Sequence, residues 1–338
     1  MRAIGFTQPL PIEDARALVD LDLPAPVPGP RDLLVRVQAV SVNPVDTKVR
    51  RRATPPEGQP RILGYDAVGV VEAAGAEARL FGPGDAVFYA GALDRPGTNA
   101  ELHLVDERIV GAKPASLSLA EAAALPLTAI TAWEALFDRL DVRKPVPGAA
   151  QAVLIVGGAG GVGSIATQLA RQLTDLTVIT TASRPETAAW SRALGAHHVV
   201  DHGKPLAAEV AALGLGAPAF VFSTTGTDQH LPEIVTLIAP QGRFALIDDP
   251  AALDVMPFKQ KSVSTHWEFM FTRSMFGTAD LGEQGRLLNE VARLVDAGTL
   301  KTTFAESFGT ISAENLRRAH ALIESGRAKG KIVLEGWA

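Results

Sequence analysis

Up to about residue 125, apolar and polar positions alternate with the two-residue period of a strand, in short runs such as 33–42 and 68–74. Turn residues cut the runs, Gly82-Pro83-Gly84-Asp85 among them. The pattern predicts a compact β-rich domain of mostly antiparallel strands. The spacing then lengthens to a helical period in alanine-rich stretches at 120–124 and 130–140, and a Pro/Gly break follows at 145–148. Buried-strand runs succeed one another at 152–156, 177–181, 198–201, 219–223 and 243–247, each followed by a helical pattern. Parallel neighbours need a crossover, usually a helix, so this alternation predicts a parallel sheet and an α/β fold. Beyond about residue 270 the pattern reads as an amphipathic helix at 285–297, a β stretch at 302–308, a helix at 313–325 and a strand at 331–334.

The segment 152–173, AVLIVGGAGGVGSIATQLARQL, carries the clearest chemistry. An apolar strand runs into Gly158-x-Gly160-x-x-Gly163, and a helix opens directly behind it. In such a loop the first glycine makes the tight turn, the second lets a pyrophosphate approach the backbone, and the third lets helix and strand pack closely. The helix N-terminus, with Gly161 and Val162, offers N–H groups and positive potential to the phosphates. A dinucleotide cofactor is expected. An NAD-selective site carries Asp or Glu at the end of the next strand. Here the run is Thr180-Thr181-Ala182-Ser183-Arg184-Pro185-Glu186, with no acid at the strand tip. Ser183 and Arg184 suit a 2′-phosphate that a carboxylate would repel, so the expected cofactor is NADPH. The alternative is a solvated loop arginine at 184, with Glu186 as a helix N-terminal charge.

The chain has 338 residues, 47% hydrophobic and 20% charged, and a net charge of −5, which supplies no field for nucleic acid or an anionic membrane. It contains no cysteine, which excludes disulfides, thiolate metal sites and a cysteine nucleophile. The first residues hold no apolar run of signal-peptide length, and nothing approaches the roughly 20 apolar residues of a membrane helix. A soluble cytoplasmic protein acting on a small molecule is expected.

The succession of Asn43-Pro44-x-Asp46, Gly64-Tyr65-Asp66-x-x-Gly69 with Gly75 beyond, Gly82-Pro83-Gly84-Asp85-x-Val87 and the glycine loop resembles the medium-chain dehydrogenase/reductase superfamily over essentially the whole chain. More narrowly, NPVDTKVR, LPLTAITAWEAL, TASRPET, GAHHVVDH, MFTRSMF and GKIVL are similar to the quinone oxidoreductase branch, in the subgroup labelled zinc-type alcohol dehydrogenase-like. The resemblance implies a GroES-like β-rich catalytic domain over 1–126 and a Rossmann doubly wound NADP-binding domain over 127–270. A return segment over 271–338 would complete the catalytic domain, with the active site in the cleft. It also implies a homodimer formed through the nucleotide domains, for which 244–247 is the candidate edge strand.

Zinc alcohol dehydrogenases ligate their metal through a Cys shortly before an Asp and through the His of a Gly-His-Glu triplet. Asn43 and Tyr65 stand at those places here, and neither amide nor phenol is a normal Zn²⁺ ligand. The four-cysteine lobe of structural zinc is also missing, so no metal is expected. The densest histidine cluster, His197, His198, Asp201 and His202, surrounds a predicted strand whose alternation sends neighbours to opposite faces, which favours structural or solvated roles. His266-x-Glu268 is a weaker pair, and His103, His230 and His320 stand alone.

Without a Lewis acid an alkoxide has no electrostatic partner, whereas a conjugated carbonyl accepts hydride with only hydrogen-bond donors at its oxygen. The expected activity is NADPH-dependent, zinc-free reduction of quinones or α,β-unsaturated carbonyls. The alternatives are a zinc-dependent alcohol dehydrogenase and a protein that binds NADPH without turnover. The resemblance places Asn43 at the site, as a donor to the substrate or an orienter of the nicotinamide ribose, and Asp46 as a positioner of backbone or of Lys48. Tyr65 is the proton-donor candidate, unless its ring is a core residue with a satisfied hydroxyl. Lys48 stands close to where many quinone oxidoreductases have a tyrosine, and either polarises the carbonyl or is an exposed lysine. Thr128 and Thr131 are expected on the nicotinamide side, and Ser223 and Thr224 at the C-terminal sheet edge. Phe271, within 269–271, and Met275 either wall the nicotinamide or belong to the core. Lys331 reaches a cofactor phosphate or lies in solvent.

Overall fold

In a computed structural model that describes residues 1–337, the chain begins with β1 (Arg2–Phe6), β2 (Val19–Asp22), β3 (Asp32–Val42), α1 (Pro44–Arg52), β4 (Arg61–Ile62) and β5 (Ala67–Ala74). It continues with β6 (Ala86–Tyr89), β7 (Leu102–Asp106), β8 (Val110–Ala112), α2 (Leu119–Ala123), α3 (Pro126–Trp133) and a π-helical turn, Glu134–Arg139. Next come β9 (Ala150–Val156), α4 (Gly161–Leu173), β10 (Thr177–Thr181), α5 (Pro185–Ala193), β11 (His198–Val200), α6 (Leu206–Ala211), β12 (Pro218–Ser223), α7 (Thr227–Leu237), β13 (Arg243–Leu246) and β14 (Ser264–Trp267). The chain closes with α8 (Thr272–Phe276), α9 (Glu283–Asp296), β15 (Phe304–Ser307), α10 (Ala313–Glu324) and β16 (Lys331–Glu335). Two compact units form, one from Met1–Ile130 with the residues from Phe271 onward, the other from Thr131–Met270. Among the described residues no helix is long and apolar enough to cross a membrane.

The first unit is built on a sheet of order β15-β16-β3-β5-β6-β8, with β7 also on β3. Its pairings are antiparallel except β15 with β16. β1 sits between β2 and β4 in a separate small sheet. β3 organises the unit. Its early residues alternate, Leu33, Val35 and Val37 buried and Arg36 exposed, and from Ala39 to Val42 every side chain is buried. That switch carries Ser41 and Asn43 into the interior. β16 pairs antiparallel with the same end of β3, Ile332 opposite Val42, so the last strand arrives beside Asn43.

The second unit has the expected parallel sheet, in the order β11-β10-β9-β12-β13-β14. β9 is central, and its run Ala152–Val156 is wholly buried, as a strand covered on both faces must be. β13 corrects an expectation: 244–247 is not an edge, because β13 pairs with β12 on one side and β14 on the other. The edge on this side is β14, whose Ser-Thr-His-Trp sequence alternates too weakly to be read as a strand. The helix expected at 130–140 is also divided. α3 starts earlier, at Pro126, and the chain then widens to an i→i−5 bond, from Leu140 N to Ala135 O at 2.9 Å.

Candidate functional site

β9 ends at Val156 and delivers the glycine loop at the C-terminal edge of the sheet, where ligands of doubly wound sheets bind. Gly157 has φ +84°, open to glycine at little cost, and a Cβ on it would lie 2.5 Å from Thr224 Oγ1. A Cβ on Gly158 would lie 2.5 Å from Thr180 Cβ, and one on Gly163 would lie 2.2 Å from Gly157 O. The chain's own packing demands those three. Gly160, the residue before α4, would meet only Gly157 O at 3.5 Å, an ordinary contact. Nothing in the protein requires glycine there, so its open side fits a diphosphate. The amides of Gly161, Val162 and Gly163 form the first turn of α4, ahead of the Ser164 N to Gly160 O bond at 2.9 Å.

β10 ends at Thr181, which is tied to the loop: its Oγ1 accepts from Gly157 N at 3.0 Å and its carbonyl from Gly158 N at 3.3 Å. No carboxylate follows directly. Ser183 is exposed, and Arg184 Nε lies 2.9 Å from Glu186 Oε1. The histidine cluster divides. His197 is structural, its Nδ1 accepting from Val178 N at 2.9 Å. His202 Nδ1 lies 3.1 Å from Thr181 Oγ1, and its ring meets His230 edge-on with centroids 5.9 Å apart. His202 thus stands at the end of β10, and the sequence signals this only by its position directly after a strand. Ser223 and Thr224 have their hydroxyls engaged within the protein, Ser223 Oγ 2.8 Å from Thr227 Oγ1 and Thr224 Oγ1 donating to Val156 O at 2.7 Å.

In the first unit the candidate residues form a buried polar network. Asp46 accepts from Asn43 N at 2.7 Å and Gly64 N at 2.9 Å, so it positions backbone. Burial pushes its carboxyl up to about 7, against the lowering effect of those bonds and of Lys331. Asp66, a motif residue whose sequence context assigns it no role, is the hub. Its Oδ2 accepts from Ser41 Oγ at 2.7 Å, Asn43 Nδ2 at 2.7 Å and Lys331 Nζ at 3.0 Å, and its Oδ1 from Leu127 N at 2.7 Å. Two expectations change. Asn43, 1% exposed, gives one N–H of its amide to Asp66 and receives Lys331 on Oδ1, so its carboxamide is held by the protein's own side chains. Lys331, 3% exposed, binds Val42 O, Asn43 and Asp66, so it is neither in solvent nor on a phosphate.

Tyr65 is 1% exposed, its ring meets Phe271 edge-on at 5.3 Å, and its hydroxyl, which the Arg61 side chain approaches, has no acceptor for its proton among the described residues. Burial, and then the nearby Asp46, push the phenol up to about 12, with Arg61 offsetting part. The ring is core, as the alternative expects, but the hydroxyl lacks the satisfying partner which that alternative requires. Lys48 is half-buried on α1, and Met275 is exposed. Thr128 and Thr131 are buried on α3, and Thr128 donates to Leu125 O at 3.1 Å.

Zinc does not fit these residues. The Asn43 amide is engaged on both sides, the phenol holds its proton well above neutral pH, and Asp66 already takes four donors, one of them an ammonium. Among the described residues no three His, Cys, Asp or Glu side chains gather as a metal-holding group.

The family model for alcohol dehydrogenase GroES-like domains matches residues 29–126, and that for zinc-binding dehydrogenases matches 194–334. Among solved structures, a chain from Rhizobium etli CFN 42, provisionally described as a zinc-dependent alcohol dehydrogenase, is similar at TM-score 0.98 and 68% identity, covering 100% of this chain and 98% of that one. A quinone oxidoreductase from Pseudomonas syringae pv. Tomato DC3000 is similar at TM-score 0.82 and 27% identity, covering 99% of each chain. A zinc-type alcohol dehydrogenase-like protein of Staphylococcus aureus (strain MSSA476) is 40% identical over 339 residues, 99% of either chain. Identity of that extent, with both family models in the same order along the chain, establishes that this protein belongs to the medium-chain dehydrogenase/reductase superfamily of oxidoreductases, in its zinc-type alcohol dehydrogenase-like subgroup.

Proposed function

We propose that the protein is an NADPH-dependent, zinc-free reductase of quinones or α,β-unsaturated carbonyls. One observation carries the reading: where zinc enzymes present a cysteine and a histidine, this chain has an amide and a phenol, and the carboxylate next to the phenol, Asp66, has its charge balanced from within. A substrate carbonyl then relies on hydrogen-bond donors for polarisation. NADPH, when bound, supplies the hydride. The residues of 158–163 hold its diphosphate through backbone amides, and Ser183 and Arg184 take the 2′-phosphate, with Arg184 turning from Glu186. Tyr65 offers its unpartnered O–H to the oxygen on which negative charge develops, and with a pKa of about 12 it does so as a neutral donor. Phe271 braces the phenol, and Lys48 supplies a positive charge.

The test is steady-state NADPH oxidation against a panel of quinones and enones, with chelator present. A rate that saturates with acceptor and exceeds the protein-free rate is expected. No turnover, or turnover only after Zn²⁺ is added, refutes the reading. Tyr65→Phe is expected to lower kcat about 10- to 100-fold with little change in the KM for NADPH. Arg184→Ala is expected to raise the KM for NADPH about tenfold and leave that for NADH unchanged; an equal effect on both cofactors removes the 2′-phosphate assignment. We further propose a homodimer paired along the β14 edges, supported by the exposure of Trp267 at 54% on a strand with β13 on one side and no strand on the other among the described residues. Light scattering at the mass of one 35.5 kDa chain would rule it out.

A further inference from the structure

We infer that Lys331 is the resident cation of this site: its ammonium fills a seat of oxygen atoms formed by Val42 O, Asn43 Oδ1 and Asp66 Oδ2, and takes the electrostatic part that a bound metal ion would otherwise play. The inference deepens the zinc-free reading above and rests on it. An ammonium carries three N–H donors and no acceptor. Lys331 Nζ finds Val42 O at 3.1 Å, Asp66 Oδ2 at 3.0 Å and Asn43 Oδ1, which saturates it. Lysine is almost never fully buried unless paired, and Lys331 at 3% exposure faces a carboxylate at 0%. The acceptors are all oxygen, the donor set of hard cations and not the nitrogen and sulfur set that zinc prefers.

The chain is arranged to deliver this charge. β3 buries Ser41 and Asn43 at its end, and β16 runs antiparallel to it with Ile332 opposite Val42, which brings Lys331 to the same place. The two partners of the ion pair are 265 residues apart in sequence. Lys331 locks the Asn43 carboxamide, so that Nδ2 points to Asp66, and balances Asp66, the residue directly after Tyr65. It is a positioning residue: it touches no substrate and acts by holding Asp66, and through it the bend before β5 that carries the Tyr65 phenol.

The test compares the wild type with Lys331→Ala in ammonium, methylammonium or tetramethylammonium chloride at equal ionic strength, reading Tm and NADPH-dependent turnover of a quinone. The wild type is expected to ignore the identity of the cation. Lys331→Ala is expected to lose about tenfold in turnover and more than about 5 °C in Tm, and to regain both saturably in ammonium or methylammonium. Tetramethylammonium, which has no N–H, is expected to do nothing. A variant indifferent to the cation, or one with wild-type turnover and Tm, overturns the inference. Should Lys331→Ala not fold, Lys331→Met alone is compared with Lys331→Met combined with Asp66→Asn. The neutral pair is expected to be the more stable, and a double variant no more stable than Lys331→Met overturns the assignment. Stoichiometric zinc in chelator-treated wild type would instead sink the zinc-free reading itself, whatever the variants do.

Discussion

Gly160 and Gly163 lie in one loop, yet a methyl group on each would meet different surroundings. On Gly163 it would stand 2.2 Å from Gly157 O, backbone against backbone, so the strand–helix junction must open. On Gly160 its nearest neighbour is 3.5 Å away. Gly163→Ala is therefore expected to destabilise the protein by about 1–3 kcal/mol, seen as a lower Tm. Gly160→Ala is expected to keep the wild-type Tm and weaken NADPH at least about tenfold in a fluorescence titration, because the methyl occupies space meant for phosphate oxygens. Equal affinity in Gly160→Ala and wild type would remove the diphosphate from this loop. The glycine roles were legible in sequence because each is set by residues a few positions away. Lys331 was not, since its two side-chain partners, Asn43 and Asp66, lie on strand ends far along the chain, and a lysine near a terminus reads the same whether solvated or buried.

At the scale of elements, the π-helical turn after α3 and the edge strand β14 meet in a buried charge cluster. Glu134, in the turn, is 0% exposed, and Glu268, directly after β14, is 3% exposed. Arg139 Nε lies 2.9 Å from Glu268 Oε2 and its Nη2 3.9 Å from Glu134 Oε2. One guanidinium cannot balance two buried carboxylates, so one acid keeps a proton. Burial, and then the charge of Glu134, push Glu268 up to about 9. A folded-state pKa raised above the ordinary 4.5 gives stability that is complete below 4.5 and lost as pH rises through about 9. Glu268→Gln mimics the protonated acid, accepting from Arg139 and donating toward Glu134. It is expected to raise Tm at pH 9 by about 2–4 °C and to change it little at pH 5. A Tm gain equal at both pH values would contradict the shared proton. Neither element was legible. A one-residue widening leaves the apolar period of a helix intact, and β14, held by a single neighbour, needs no hydrophobic alternation to stay in the sheet.

Across the whole molecule, two histidines in the first unit are buried as neutral rings. His103 is held between Tyr89 OH at 3.1 Å and Pro96 O at 3.0 Å, and burial lowers it to about 4. His320 is 0% exposed, has no partner for either ring nitrogen among the described residues, and is lowered to about 3 by burial and then by the charge of Arg50. Depressed folded-state values give stability that is present above the unfolded pKa near 6.5 and lost as pH falls through about 4 and about 3. Each histidine is expected to cost about 2 kcal/mol at pH 5 relative to pH 7. Urea titrations should show His320→Leu reducing proton uptake on unfolding by one between pH 6.5 and 4, and an unchanged pH slope would refute it. What the sequence alone determined is local: strand and helix periods, the order of the β/α units, the glycine loop and the acid-free end of β10, each decided by residues within about one element of each other. What only the tertiary structure decided is which side chains become partners across the chain. Asp66 as hub, Lys331 as its counter-ion, the unsatisfied Tyr65 hydroxyl and β14 as the true edge all depend on where distant strands end. Periodicity sets which residues face inward, and packing alone sets what they find there.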